Sequence, residues 1–150
     1  MPDGAEMAGR GLLGGYDVGA QVGFLLRRAH QRHAALFLEA MAVVDLTPMQ
    51  FNALVRVVEL GPVGQNQLGR LSAMDPATVQ GVVRRLVERG LMQRGADPTD
   101  RRASVLTATA TGLALAARAA AVGHAVTEAT LAPLSMAERR TVLKLLGKMS

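Results

Sequence analysis

Along the stretch from Tyr16 to Val44, one side of the pattern runs through Val22, Leu26, Ala29, His33, Leu36 and Ala40. Arg28, Arg32 and Glu39 lie on another. Steps of three and four residues are the signature of a helix with one apolar side, and here they predict a first helix of roughly seven turns at 3.6 residues per turn. Apolar residues cover so much of its girth that a second subunit is its natural cover. The next segment opens Leu46-Thr47-Pro48-Met49-Gln50. Thr47 suits the cap of a helix, Pro48 its first turn, and Gln50 completes a capping box. Phe51, Leu54, Val55 and Val58 form the expected stripe, and Gly61-Pro62 stops the helix.

Gln65 to Ser72 predicts a short helix around Leu68 and Leu71, and Ala73-Met74-Asp75-Pro76 breaks it. Asp75 then serves as an N-cap and Pro76 as a first residue of a helix that buries Val79, Val83 and Leu86 and ends at Gly90. Two short helices joined by a tight turn form a helix-turn-helix pattern. A β-hairpin follows: Leu91 to Arg94 as one strand, a turn-rich tip from Gly95 to Asp100, and Ser104 to Thr107 as the return. A hairpin directly after the second helix of such a pair reads as a wing. From Thr111 the chain is alanine-rich and helical, with Leu113, Leu115, Ala120, Val122 and Val126 apolar, until Pro133 interrupts it. Ser135 and Glu138 frame a capping box for a last helix with Val142, Leu145 and Leu146 on its apolar side. No internal repeat is visible.

These elements predict a mainly α fold with a small β-hairpin wing, a winged helix-turn-helix flanked by N- and C-terminal dimerisation helices. Residues 1–15, with five glycines and no period, read as a flexible tail. Residues 16–150 read as one domain, with 46–110 as the winged unit and 16–45 and 111–150 as the dimerisation helices.

Composition narrows what such a domain does. The 150 residues, 49% of them hydrophobic, suffice for a core. No uninterrupted apolar run reaches the roughly 18 residues that a membrane span needs. MPDGAEMAGRGLLGG has acids and glycines where a secretory signal would have a basic segment and a long apolar one. Cysteine is absent, which rules out disulfides, thiolate metal sites and cysteine nucleophiles and fits a reducing cytoplasm. The formal charge is +5, and 15 of the 17 basic residues are arginine, a balance that favours a polyanion as partner. With three Phe, one Tyr and no Trp, the chain is poorly stocked for stacking single-stranded bases. A soluble protein that simply runs basic explains the same charge equally well.

On the helix from Pro76 the buried stripe leaves Ala77, Thr78, Gln80, Gly81, Arg84 and Arg85 as candidate DNA contacts. Small and polar residues near the start of a helix fit a major groove, and Gln80 and Arg84 carry side chains able to make paired contacts. An ordinary solvated helix face uses the same residue types. Arg101 and Arg102, beside Asp97 and Asp100, add candidates on the wing, where arginine suits a narrow minor groove. A surface hairpin with weak local ion pairs is the plainer reading of the same residues.

The chain also resembles the MarR family of bacterial transcriptional regulators. The resemblance runs from Leu46 to about Lys148. It includes LTPMQFNAL, QLGRLSAMDPATVQGVVRRLVERGLMQR, the wing signature DPTDRR, the helix start ATATG and the closing LAPLSMAERRTVLKLLGKM. It implies a homodimer whose first and last helices intertwine, a pseudo-palindromic operator, and release by a small molecule. By position it implies that Thr78, Gln80, Gly81 and Arg84 face the groove, and that Arg102 is the wing arginine with Asp100 as its partner. Ala77 stands where the family often has serine, and Ala108 where a leucine usually precedes the threonine.

Arg27, His30 and His33 follow one another at three-residue steps on the first helix. Cationic and donor groups in an apolar wall suit a small aromatic carboxylate, and GFLLRRAHQRHAALF is similar to family members that respond to aromatic acids or their thioesters. Satisfied interface or core histidines explain the same pattern equally well. No acid or cysteine joins the two histidines, so no metal site is expected, and no cofactor; His124 stands too isolated to assign. Catalysis is not expected, because no phosphate loop, nucleophile or paired-carboxylate motif is present. The remaining alternatives are a winged-helix module that binds protein instead of DNA, and a regulator without a small-molecule ligand.

Overall fold

Thr47 and Ser135 start their helices in the same way. In each case the hydroxyl accepts from the backbone N–H three residues on, and the side chain there, Gln50 or Glu138, accepts from the cap's own N–H. Each of these caps contributes about 1 kcal/mol. The fold they belong to is that of a computed structural model, which describes residues 13–150. Its helices are α1 (Val22–Met41), α2 (Pro48–Leu60), α3 (Gln65–Leu71), α4 (Pro76–Glu88), α5 (Ala110–Leu131) and α6 (Met136–Met149). Strands β1 (Met92–Ala96) and β2 (Ser104–Ala108) stand between α4 and α5. Contacts divide the described chain within α1 into two compact units, one ending at Ala35 and one running Leu36–Ser150.

The first helix is shorter than its period predicts. Asp17 caps a separate 3-10 turn, Val18–Ala20, and Gln21 is extended before α1 begins. At the other end the chain tightens into a second 3-10 turn, Ala42–Val44, and Asp45 then turns through the left-handed region at φ 50°. Most of the tail expected at residues 1–15 lies outside the described residues; Leu13 to Tyr16 form a turn closed by the Tyr16 amide on the Leu13 carbonyl at 2.9 Å.

The core lies in the second unit, where Phe37, Met41, Leu54, Val57, Leu68, Val83, Leu86 and Leu106 pack together. Several stripes are rotated from their sequence reading. In α1 the buried residues are Phe37 and Met41, whereas Val22 and Leu26 are exposed and Leu36 and Ala40 half-buried. In α2 they are Gln50, Ala53, Leu54 and Val57, with Val58 exposed. Leu71 of α3 and Leu113 of α5 are also exposed, and in α5 it is the small residues Gly112, Ala116 and Ala119, with Val126, that go inside. Small side chains let α5 approach closely: a Cβ on Gly123 would sit 2.9 Å from the Phe51 ring. None of α6 is buried, and its Leu143, Leu145, Leu146 and Met149 all face outward. A periodic stripe reports that a face is apolar, not what covers it. No single described helix is long and apolar enough to cross a membrane.

β1 and β2 pair antiparallel from Met92↔Ala108 to Ala96↔Ser104, two pairs further toward the tip than an expected strand end at Arg94, since Gly95 and Ala96 both pair. Val63 in the loop after α2 adds a bridge to Leu106, with mutual hydrogen bonds of 3.1 and 2.8 Å. A helix pair followed by a hairpin seated on that loop is a winged helix-turn-helix.

Candidate nucleic-acid interface

The turn between α3 and α4 is held by backbone geometry. Ala73 takes a left-handed conformation, φ 51°, and Met74 donates back to the Gly69 carbonyl at 2.9 Å. Gly69 lets the helices close: a Cβ there would meet Val79 Cγ1 at 3.1 Å and the Met74 carbonyl oxygen at 3.3 Å. Asp75 then caps α4 with both carboxylate oxygens, accepting from the Thr78 amide at 2.9 Å and from the Thr78 hydroxyl at 2.7 Å. The Thr78 hydroxyl is the largest cause that holds the Asp75 carboxyl below its ordinary value, followed by the Thr78 amide.

Val79, Val82, Val83 and Leu86 bury one side of α4. At about 100° per residue, the row opposite that side is Ala77, Gly81, Arg84 and Glu88. Gln80 flanks it on one edge, Thr78 and Arg85 on the other. Ala77, Gln80, Arg84 and Arg85 are exposed, and Thr78 and Gly81 half-buried. The row is low at its start and cationic further on, so a rounded polyanion can approach its first turns closely and meet arginine beyond them. Arg84 and Glu88 approach to only 3.9 Å with both side chains well exposed, a weak pairing that leaves the guanidinium available.

The wing is tied to this pair at three points. Arg94 on β1 donates to Gln65 Oε1 at the start of α3, 2.7 Å away. Thr109, the cap of α5, donates its amide to the Leu91 carbonyl at 3.1 Å and its hydroxyl to the Gly90 carbonyl at 2.6 Å. Gly112 packs so close to the Leu91 carbonyl that a Cβ would collide with it. At the tip, Asp97 Oδ1 accepts from the Thr99 amide and hydroxyl at 2.7 and 2.8 Å and from the Asp100 amide at 3.3 Å. The Thr99 amide, then its hydroxyl, hold the Asp97 carboxyl below its ordinary value. Arg101 and Arg102 lie on that braced tip and are exposed; among the described residues neither makes an ion pair. Rigid backbone with unengaged cations is what a phosphate-rich surface requires.

Comparison with known proteins agrees with this arrangement. Residues 46–104 match the profile of the MarR family. Over 134 residues the chain is 40% identical to the HTH-type transcriptional repressor NicR of Pseudomonas putida, covering 89% of this chain and 85% of NicR. The chain belongs to the MarR family. Two solved structures of similar proteins superpose on it with a TM-score of 0.84 each. One is a probable transcriptional regulator from Pseudomonas aeruginosa, 46% identical and covering 89% of this chain and all of that one. The other is Bordetella bronchiseptica BpsR, 38% identical and covering 89% and 96%, described in terms of regulation of its DNA binding by 6-hydroxynicotinic acid.

Within this MarR-family chain, α4 brings Ala77, Thr78, Gln80, Gly81, Arg84 and Arg85 onto one half of a single helix, and the wing places Arg101 and Arg102 on its tip. Asp100 does not hold the Arg102 side chain. It accepts from the Arg102 amide at 2.9 Å and so fixes the backbone from which the guanidinium projects. Ala108 is half-buried against the core. Arg27 and His30 are exposed on α1 and His33 is half-buried. An apolar groove of about 330 Å³ lies between the end of α1 and α5, lined by Leu36, Glu39, Ala40, Ala125, Val126 and Ala129; its single charge, Glu39, is of the wrong sign for a carboxylate.

Two positioning residues escape a reading by sequence. Arg94 and Gln65 stand 29 positions apart, and Arg89 reaches Asp45 across 44. No local period connects either pair. The Asp75–Thr78 contact, by contrast, is the ordinary three-residue spacing of an N-cap and was open to inspection.

Proposed function

We propose that the protein is a cytoplasmic transcriptional repressor that binds a pseudo-palindromic duplex operator as a homodimer and releases it on binding a small aromatic acid or its thioester. The observation that carries the reading is the pairing of two surfaces on one rigid frame: the low, cationic outer row of α4, and a wing tip whose Arg101 and Arg102 have no ion-pair partner among the described residues. Base choice is assigned to Thr78, Gln80, Gly81 and Arg84 with Ala77 alongside, and phosphate or minor-groove anchoring to Arg85, Arg101 and Arg102. The helices flanking residues 46–110 would pair two copies. The uncovered Leu143, Leu145, Leu146 and Met149 of α6 and Val22, Leu25 and Leu26 of α1 support that role, because apolar faces of this kind are rarely left to water.

The effector class rests on the likeness to BpsR, which 6-hydroxynicotinic acid regulates, and on Arg27, His30 and His33 along one helix. The test measures binding to a duplex selected from a random library, with and without 6-hydroxynicotinate, nicotinate, benzoate, a hydroxycinnamate and aromatic thioesters, for the parent, Arg27→Ala and His33→Ala. Release by a ring acid or thioester, weakened in the variants, is the expected result. If no compound releases the DNA or shifts melting, the aromatic effector is wrong. Absence of any selected sequence, with affinity indifferent to salt, would favour a protein-binding module.

A further inference from the structure

Several helical glycines of this chain have an internal reason. A Cβ on Gly69, Gly112 or Gly123 would press on Val79, Leu91 or Phe51 respectively. Gly81 has none: a Cβ there meets nothing within 4 Å, although it sits in the middle of α4, where glycine is a less stable choice than alanine. Gly23 and Gly147 also meet nothing within 4 Å, so open space alone assigns no role; what sets Gly81 apart is its place on the outer row of α4 beside Thr78, where the missing side chain leaves room for an outside surface. Thr78 lies one turn earlier on the same side, and residues three apart on a helix are neighbours. Whatever seats on Gly81 therefore lies against Thr78.

The polarity of Thr78 is already decided. Its hydroxyl lies 2.7 Å from Asp75 Oδ2 while its amide occupies Oδ1. An ionised carboxylate only accepts, and Asp75, held below its ordinary value by these same bonds, is ionised at neutral pH. The one hydroxyl hydrogen is thus directed at Asp75. What remains toward the outside is an oxygen lone pair and the γ-methyl, and neither can meet a phosphate oxygen or a base carbonyl favourably.

We infer that Thr78, locked by Asp75 and set beside Gly81, is a specificity residue that selects an A·T base pair in the major groove, its oxygen accepting from the adenine N6 amino group and its methyl packing on the thymine methyl. No other pair presents both a donor and a methyl there: cytosine offers a donor without a methyl, and the guanine edge only acceptors. Phosphate contact is left to the arginines. The inference rests on the DNA-binding reading above and gives it a base.

The test selects duplexes from a random-core library with the full-length parent and with Thr78→Val, Thr78→Ser and Asp75→Asn, melting each variant to confirm folding. In the parent, one A·T pair per half-site should weaken binding roughly tenfold when replaced, within the range for single mismatches. Thr78→Val, which keeps a γ-methyl and loses the oxygen, should lose the need for adenine N6, keep sensitivity to the thymine methyl, and leave the other positions unchanged. Thr78→Ser should keep the need for adenine N6, read by substituting purine for adenine, but lose sensitivity to replacing thymine by uracil. Asp75→Asn can donate to the Thr78 oxygen and free the hydroxyl hydrogen, so the same position should shift toward a pair presenting a carbonyl. Unchanged base preferences in Thr78→Val overturn the inference, as does an equal loss on every duplex. A parent that selects no sequence overturns the DNA-binding reading itself, and does so before any variant is compared.

Discussion

The guanidinium of Arg89, at the C-cap of α4, donates to the backbone carbonyl of Asp45 at 2.7 Å and reaches Gln50 Oε1 at 3.5 Å. Asp45 is the left-handed residue that ends the turn after α1, and Gln50 is the buried half of the α2 capping box. One side chain therefore ties the far end of the candidate recognition helix to the junction of α1 and α2. The Asp45 carboxylate contributes little to the tie: it lies 3.7 Å from the guanidinium with its side chain 96% exposed.

That asymmetry predicts different outcomes for the two partners. Arg89→Ala should lower stability by about 1.5–3 kcal/mol, the range for a hydrogen bond made by a charged group. Asp45→Asn should change it by less than about 0.5 kcal/mol, because the carbonyl bond remains and asparagine accepts the left-handed backbone well. Urea titration distinguishes them; equal losses would mean that the ion pair, not the carbonyl bond, is the tie.

Gly112→Ala puts a methyl into the Leu91 carbonyl at the base of the wing. Backbone meets backbone there, so no side chain can swing aside, and the expected loss is about 3 kcal/mol or more. Amide exchange should show β1 and the start of α5 loosened together. A melting temperature equal to that of the parent would refute this packing.

Gly81→Ala should act in the opposite direction on the fold, stabilising it by about 0.5–1 kcal/mol, since the new methyl meets open space. Binding to the selected duplex should weaken in the same variant. Gains in both, read by melting and by a DNA titration, would remove Gly81 from the contact surface.

Arg84→Ala is expected to weaken binding and relax sequence choice at one position of each half-site, costing about 1–3 kcal/mol on the selected duplex. Arg102→Ala should weaken selected and random duplexes alike and reduce the salt slope by about one unit per subunit. Titrations at several salt concentrations separate the two. An equal loss for Arg84→Ala on both kinds of DNA would make it a phosphate contact.

The wing tip carries a pH signature. Asp97 is held below its ordinary value of 3.8, so the protonated form is disfavoured in the fold. Its contribution to tip order is fully present above that value and is lost as pH falls through the lowered one. NMR titration of the Asp97 carboxyl should give a midpoint under 3.8, and Thr99→Ala should return it upward. A midpoint unmoved by Thr99→Ala, which keeps the amide bond, would show that the Thr99 hydroxyl does not help to hold the Asp97 carboxylate.

Local chemistry decided much of this protein before any folding. Thr47, Asp75, Thr109 and Ser135 each accept from the amide three residues ahead, and Gly61 and Gly90 turn the chain at positive φ after α2 and α4. Such signals act within one turn of helix, so the order of elements and the helix-turn-helix with its wing could be read from them, and so could the α4 residues that face outward. The tertiary structure decided which apolar faces become core and how the parts are braced. Val58, Leu71 and Leu113 satisfy a helical period yet are exposed, while Ala53, Ala116 and Ala119 are buried, because burial depends on what approaches a face and not on the face alone. Arg94 on Gln65, Arg89 on Asp45 and Asp100 on the Arg102 backbone arise only when segments distant in sequence, or a turn of one particular shape, bring donor and acceptor within 3 Å. The candidate DNA contacts were legible in the sequence; the frame that holds them arises only in the fold.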